Sequence, residues 1–278
     1  MISNCIVIQG HVGDHDPQGN LSSAQKIELV SLSLRHLRRK NNSAYIILAG
    51  HGYRPTDQAL ALCDQVIWDD TIFPHDHNGY FPGHPGQNTW VHKGIVAAQK
   101  KGFGRLLKTR LDSLIGIPEI VNHCEAILGR EHRNLLLSQQ TCLTSQRLGD
   151  CFMFGDTDLL EYLWRPENPI HPTDGLTQLG HRFASRARFP EQLRQTIAFR
   201  DTTSLLFMDL RWEYHNIVAE YGTWENFRSL MLSGKEDSGI YRKYQWGRQW
   251  HQIDDHGNMT HRYLPDLISE KEWYAKLH

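Results

Sequence analysis

Hydrophobic residues in the first part of this chain fall into short unbroken runs, separated by segments with helical spacing. Cys5-Ile6-Val7-Ile8-Gln9 reads as a buried strand that ends at Gly10 and gives way to a polar loop from Gly13 to Asn20. Ile27, Leu29, Val30, Leu32, Leu34 and Leu37 then recur as one helix face, with Ser22 or Ser23 as its cap. Arg35, Arg38, Arg39 and Lys40 close that helix, where cations suit the negative pole. After Asn41-Asn42, the run from Ala44 to Ala49 predicts a second strand, again ending at a glycine, Gly50. A short helix over 56–63 leads to a third strand, Gln65 to Trp68, which Asp69 and Asp70 follow directly. Strand, helix, strand, helix, strand predicts an α/β layer with a mostly parallel sheet. Ligands of such sheets bind beyond the carboxyl ends of the strands, so Gln9, Gly10, Gly50 and Asp69 are expected on one rim.

The pattern is then interrupted. A segment rich in Gly, Pro and His runs from Thr71 to Gln87 and reads as a long loop. Thr89 to Lys101 predicts a helix packed through Trp90, Ile95, Val96 and Ala97, and Gly102-Phe103-Gly104 turns the chain into a run that breaks the apolar rule. That run is Gly104 to Ile115, in which Lys108, Arg110 and Asp112 stand where a buried strand should carry aliphatics. Residues two apart share a strand face, so the three groups come together. Either this is a half-exposed edge strand, or the charges meet a partner, a metal or a ligand. Beyond it, 119–128 predicts a helix and 134–139 a strand. Leu148 to Gly155 predicts a further strand, a glycine turn and a helix beginning at Asp156. Asp156 and Asp158 have a structural reading as cap and dipole partners of that helix, whereas Asp150, before the strand, has none. The span 181–200 is a basic, helical stretch punctuated by arginines, and from Leu205 onward the chain is rich in Trp and Tyr.

Composition narrows the classes. The 278 residues carry a net charge of −1, which argues against a polybasic nucleic-acid surface. Five scattered cysteines without a C-x-x-C pair point to a reducing compartment rather than to a disulfide framework or structural zinc. With no signal-peptide pattern and no run long enough to span a bilayer, a soluble cytoplasmic protein is expected, peripheral to a membrane at most. Seventeen histidines raise the question of a metal, but His75-Asp76-His77 lies in the Gly/Pro loop and no metalloprotease-type spacing occurs.

The ordered landmarks resemble the WavE-type lipopolysaccharide-synthesis family, glycosyltransferases similar to the GT-A nucleotide-sugar transferases. Four elements carry the resemblance: Ile6-Val7-Ile8-Gln9-Gly10; Tyr45-Ile46-Ile47-Leu48-Ala49; Leu107-Lys108-Thr109-Arg110-Leu111-Asp112, similar to the family's L-K-x-R-x-D segment; and Gly149 to Gly155 with Asp158-Leu159, followed by Phe189-Pro190-Glu191-Gln192. The match spans roughly residues 4 to 195 and leaves the tail uncovered. It implies a GT-A-like, Rossmann-type sheet flanked by helices over residues 1–204. An aromatic-rich α+β extension over 205–278 is expected to pack on it. The implied function is transfer of a sugar from a nucleotide-activated donor to a hydroxyl of a growing surface glycan.

By that resemblance Arg110 to Asp112 stands where GT-A enzymes carry D-x-D. Asp112 would hold donor sugar or a manganese or magnesium ion, with Arg110 in place of the first carboxylate. Gln9, Gly10 and Asp69 would line the nucleotide, and Lys108 and Arg110 would neutralise the departing diphosphate. Asp158, Asp150 and Asp156 are the candidates for the base, in that order, and Glu191 for acceptor binding. A sugar nucleotidyltransferase is the first alternative, though Gly10-His11-Val12-Gly13 is a poor phosphate loop; a glycan-binding module without catalysis is the second.

Overall fold

The computed structural model describes residues 4–12, 22–70, 85–111, 113–115, 118–128, 136–138, 152–166, 207–209, 223–234, 249–253 and 259–263. Its centre is a six-stranded sheet in the order β3-β2-β1-β4-β7-β6. The strands are β1 (Cys5–Val12), β2 (Tyr45–Gly52), β3 (Gln65–Asp69), β4 (Arg105–Arg110), β6 (Leu136–Ser138) and β7 (Phe152–Asp156). β1 to β4 are mutually parallel, β7 runs against β4, and β6 runs against β7. The α/β class and the mostly parallel sheet expected from the sequence are what the chain forms. Among the described residues four short strands lie outside the main sheet: β5 (Ser113–Ile115), which pairs with β8 (Phe207–Asp209), and β9 (Gln249–Ile253), which pairs antiparallel with β10 (Met259–Tyr263).

Alternation along the strands sorts side chains into two apolar layers. Ile6, Ile8, Ile46, Leu48, Leu107, Phe152 and Phe154 pack with α1 (Ser23–Lys40), α2 (Asp57–Leu60) and α4 (Ile120–Leu128). Cys5, Val7, Ile47, Leu106 and Met153 pack with α3 (Pro85–Lys100) and α5 (Thr157–Trp164) on the other face. Each chain residue from Cys5 to Ile8 is therefore buried, alternately by one helix layer or the other, which is why β1 reads as an unbroken apolar run. α1 begins with a reciprocal capping box, Ser22 Oγ accepting from the Gln25 amide at 3.2 Å and the Gln25 side chain from the Ser22 amide at 2.9 Å. At its other end Arg38 donates to the carbonyls of Leu62 and Ala44, each at 2.8 Å, and pairs with Asp64 at 2.6 Å. The helix is thereby stitched to the entrances of β2 and β3. A sixth helix, α6 (Trp224–Ser233), docks on α1: Trp224 donates to Glu28 at 3.0 Å, Arg228 pairs with the same carboxylate, and Arg39 donates to the Met231 carbonyl at 3.3 Å.

Several expectations change. β1 and β2 run two residues past Gly10 and Gly50, to Val12 and Gly52. α3 starts at Pro85 rather than Thr89, with a proline whose fixed φ suits a first turn. β4 is not a half-exposed edge: it lies between β1 and β7, so the charges in it interrupt a central strand. The His75-Asp76-His77 segment and the basic stretch 181–200 fall outside the described residues.

One buried titratable group makes stability depend on pH. His36, inside α1, is 1% exposed, and burial pushes its pKa down to about 4, helped by Arg39 and Lys40 and opposed by its bond to the Ile115 carbonyl. Unfolding returns the group to its ordinary value near 6.5, so between these values the unfolded chain binds the extra proton. The stabilisation is complete above the unfolded value and is lost as pH falls toward 4, a change of roughly 3 kcal/mol. Denaturant melts of His36→Gln should lack this part of the acid slope between pH 4 and 6.5.

Candidate functional site

The parallel register gathers polar groups at one end of the sheet. Gln9 pairs with Arg110 across β1 and β4, and His11, His51 and Asp69 lie abreast across β1, β2 and β3. Alternation places Gln9, His11, His51, Asp69 and Arg110 on the face covered by α3. Neighbouring strands are about 4.8 Å apart, so these five residues form a compact patch at the carboxyl rim. α3 runs against β1 and begins at this same rim. Its Trp90 stacks on His51 with ring centroids 6.0 Å apart, His51 stacks on His11 at 4.5 Å, and the Lys93 ammonium lies 3.9 Å from the Trp90 centroid. Trp90 and His51 are buried, Lys93 is exposed, and His11 and Arg110 are half-buried. The result is a rim with an ordered ring stack and two cations, Arg110 and Lys93, facing a row that includes one carboxylate.

The residues singled out from sequence divide by position. Gln9, Gly10, Asp69 and Arg110 come together at this rim. Gly10 faces the other way: a Cβ there would lie 2.3 Å from Leu111 Cδ1, so its lack of a side chain admits Leu111 on that face. Lys108 sits one row back, opposite Val7 and Met153, fully buried. Its ammonium is 4.5 Å from the centroid of the Trp164 ring in α5. Of the two cations expected to neutralise a diphosphate, Arg110 is at the rim and Lys108 points into the helix–sheet layer.

Asp156 and Asp158 fall at the opposite end. β7 is antiparallel, so its last residue, Asp156, pairs with Arg105, the first residue of β4. Arg105 and Arg110 are separated by the length of β4, roughly 17 Å at about 3.3 Å per residue. Asp156 is the residue before α5 but makes no capping bond; it accepts from Arg105 Nε at 2.8 Å, and the same guanidinium reaches Glu125 of α4 at 2.8 Å. Asp158, exposed in the first turn of α5, is on this far end too. The preferred base from sequence is thus separated from the donor residues, because the direction of β7 was set by pairing that local sequence does not encode. Asp112, Asp150 and Glu191 lie outside the described residues.

His11, His51, Trp90 and Lys93 were not expected at the site. A signal for two of them exists: Gly10-His11 and Gly50-His51 repeat the same dipeptide at the ends of consecutive strands, and His11 continues the alternation of Gln9. Among the described residues no three His, Cys, Asp or Glu side chains converge as metal ligands; the stacked imidazoles face each other rather than a common point. Asp112, which the resemblance makes the cation ligand, lies outside the described residues. Among the described residues no helix is long and apolar enough to cross a membrane.

The fold and this rim define an α/β protein whose candidate site lies at the carboxyl ends of parallel strands. No protein-family model and no curated protein matches the chain. Solved structures with a similar fold include a protein assigned as a nucleotide-diphospho-sugar transferase from Desulfovibrio desulfuricans, at 10% identity and TM-score 0.41, covering 66% of this chain and 77% of its own. A cytidylyltransferase from Leptospira borgpetersenii matches at 12% identity and TM-score 0.43, over 88% of this chain and 98% of its own. A nucleoside-diphosphate-sugar pyrophosphorylase from Vibrio cholerae matches at 11% identity and TM-score 0.38, over 66% and 88%. Likenesses this distant assign the chain no family, activity or substrate.

Proposed function

We propose that this protein is a glycosyltransferase that moves a sugar from a nucleotide-activated donor to a hydroxyl of a growing glycan, as its resemblance to the WavE-type family implies. The observation that carries the reading is the gathering of Gln9, His11, His51, Asp69 and Arg110 on one face of the carboxyl rim. A half-buried guanidinium there suits a diphosphate, because its planar donors match phosphate oxygens and its charge persists at any physiological pH. As the acceptor oxygen attacks the anomeric carbon, the bond from that carbon to the diphosphate breaks, and Arg110 stabilises the charge left on the phosphate. Gln9 and Asp69 line the nucleotide in this reading, with Glu191 at the acceptor.

For the base we propose Asp150 ahead of Asp158 and Asp156, on its place in the sequence next to β7. β7 enters at Phe152, which pairs with Thr109 next to Arg110, and Asp150 precedes Phe152 by two residues. Its carboxylate would take the acceptor proton as the new bond forms. Asp150→Asn is expected to lower kcat by about 100-fold or more with little change in KM. An unchanged kcat would remove Asp150 from the mechanism.

Product analysis separates the proposed transferase from a nucleotidyltransferase. Supplied with a nucleotide sugar and a glycan acceptor, the protein should release a nucleotide. Supplied with a nucleoside triphosphate and a sugar 1-phosphate, it should release no pyrophosphate. Pyrophosphate release would reverse the assignment. Running the first reaction with and without manganese reads whether the transfer needs a divalent cation.

A further inference from the structure

We propose that His36 is a positioning residue for Arg110 and Leu111 at the end of β4, acting through the strand that follows them. The proposal rests on the transferase reading for its ligand. β5 begins two residues after Leu111, outside the main sheet, and pairs with β8. A buried carbonyl needs a donor. His36 supplies one: its Nε2 lies 2.9 Å from the Ile115 oxygen, on a path buried at both ends, since His36 is 1% exposed and Ile115 0%.

The bond spans two elements far apart in sequence. It joins the last turns of α1 to β5. Next to it a second group of contacts fixes the chain just beyond β5: buried Asn41 accepts from the Ile120 amide at 2.9 Å, the Glu119 amide donates to the Lys40 carbonyl at 2.8 Å, and Ser43 donates to the Glu119 carboxylate at 2.6 Å. Upstream of β5, the Leu111 amide donates to the Gln9 carbonyl at 2.9 Å. Leu111, next to Arg110, is therefore held to β1 and Ile115 to α1, with the imidazole as the anchor on the downstream side.

The chemistry suits a neutral imidazole. With its pKa held well below the ordinary histidine value by burial, His36 carries a single N–H at neutral pH, and the bond to a carbonyl requires that proton on Nε2. A glutamine at this position can present an amide N–H at similar reach; leucine fills the space and leaves the Ile115 carbonyl without this donor.

The test measures two quantities in wild type, His36→Leu and His36→Gln. The first is affinity for UDP, GDP, ADP and CMP by calorimetry. The second is amide exchange over Ser113–Ile115. The nucleotide that binds wild type should bind His36→Leu about 10-fold more weakly, with exchange at β5 faster by at least about 10-fold. His36→Gln should stay within about 3-fold of wild type on both. Faster exchange with unchanged affinity would reduce His36 to a structural role, and no change in either would remove the anchor altogether. A wild-type protein that binds none of the four would overturn the transferase reading and the positioning role with it, whereas binding that ignores His36→Leu overturns the positioning role alone.

Discussion

Gly50→Ala is expected to destabilise the protein by about 3 kcal/mol or more, enough to unfold a substantial fraction of a marginally stable domain. Gly50 sits in the middle of the sheet opposite Gly10, and a Cβ added to it would lie 2.3 Å from the Gly10 carbonyl oxygen and 2.6 Å from Trp68 Cζ3. A flexible side chain could swing aside from such a contact. A backbone oxygen fixed in the β1–β2 ladder cannot, so the strands must separate or shift. Either movement would also disturb the His11–His51 stack immediately beyond. Gly104→Ala provides the control, since nothing lies within 4 Å of a Cβ there. Urea denaturation of the two variants should show a large loss for Gly50→Ala and a change of less than about 1 kcal/mol for Gly104→Ala. Equal stability in both would mean that the packing between β1 and β2 is looser than described.

Arg110→Ala is expected to weaken nucleotide binding by about 10- to 100-fold, the usual worth of a charge-assisted contact to phosphate. Arg110→Lys should recover only part of this, because an ammonium supplies charge without the two parallel donors of a guanidinium. Lys108 should behave differently. Its side chain is enclosed beneath α5 against Trp164, so Lys108→Met is expected to change stability more than nucleotide affinity. A calorimetric titration of the three variants, together with their melting temperatures, separates the two roles.

The frame of the fold was readable because its first strands are buried on both faces. Ile6 and Ile8 meet one helix layer and Cys5 and Val7 the other, and such strands appear as unbroken apolar runs. The ends of β1 and β2 were misplaced by two residues because Gly-His does not look like strand; burial under α3 and stacking on Trp90 keep these residues in the ladder. The charged interruption at Lys108 and Arg110 was visible, but not its resolution. Arg110 is at the rim and Lys108 one row back because of the register of β4 against β1, and Lys108 then packs against Trp164 of a helix after another strand. The largest discrepancy, the far position of Asp156 and Asp158, has one cause. A strand followed by a helix looks the same in sequence whether the strand is parallel or antiparallel, and β7 is antiparallel. Likewise, nothing local to His36 announces that it holds the strand after Asp112.

The measurement that tests the placement of the site most directly is calorimetric titration of UDP, GDP, ADP and CMP into wild type, Arg110→Ala and Asp158→Asn. A donor site at the carboxyl rim predicts that one of these nucleotides binds wild type, binds Arg110→Ala at least about 10-fold more weakly, and binds Asp158→Asn with unchanged affinity. Loss of binding in Asp158→Asn with none in Arg110→Ala would put the site at the opposite end of the sheet, and no binding to wild type would contradict the nucleotide-dependent function itself.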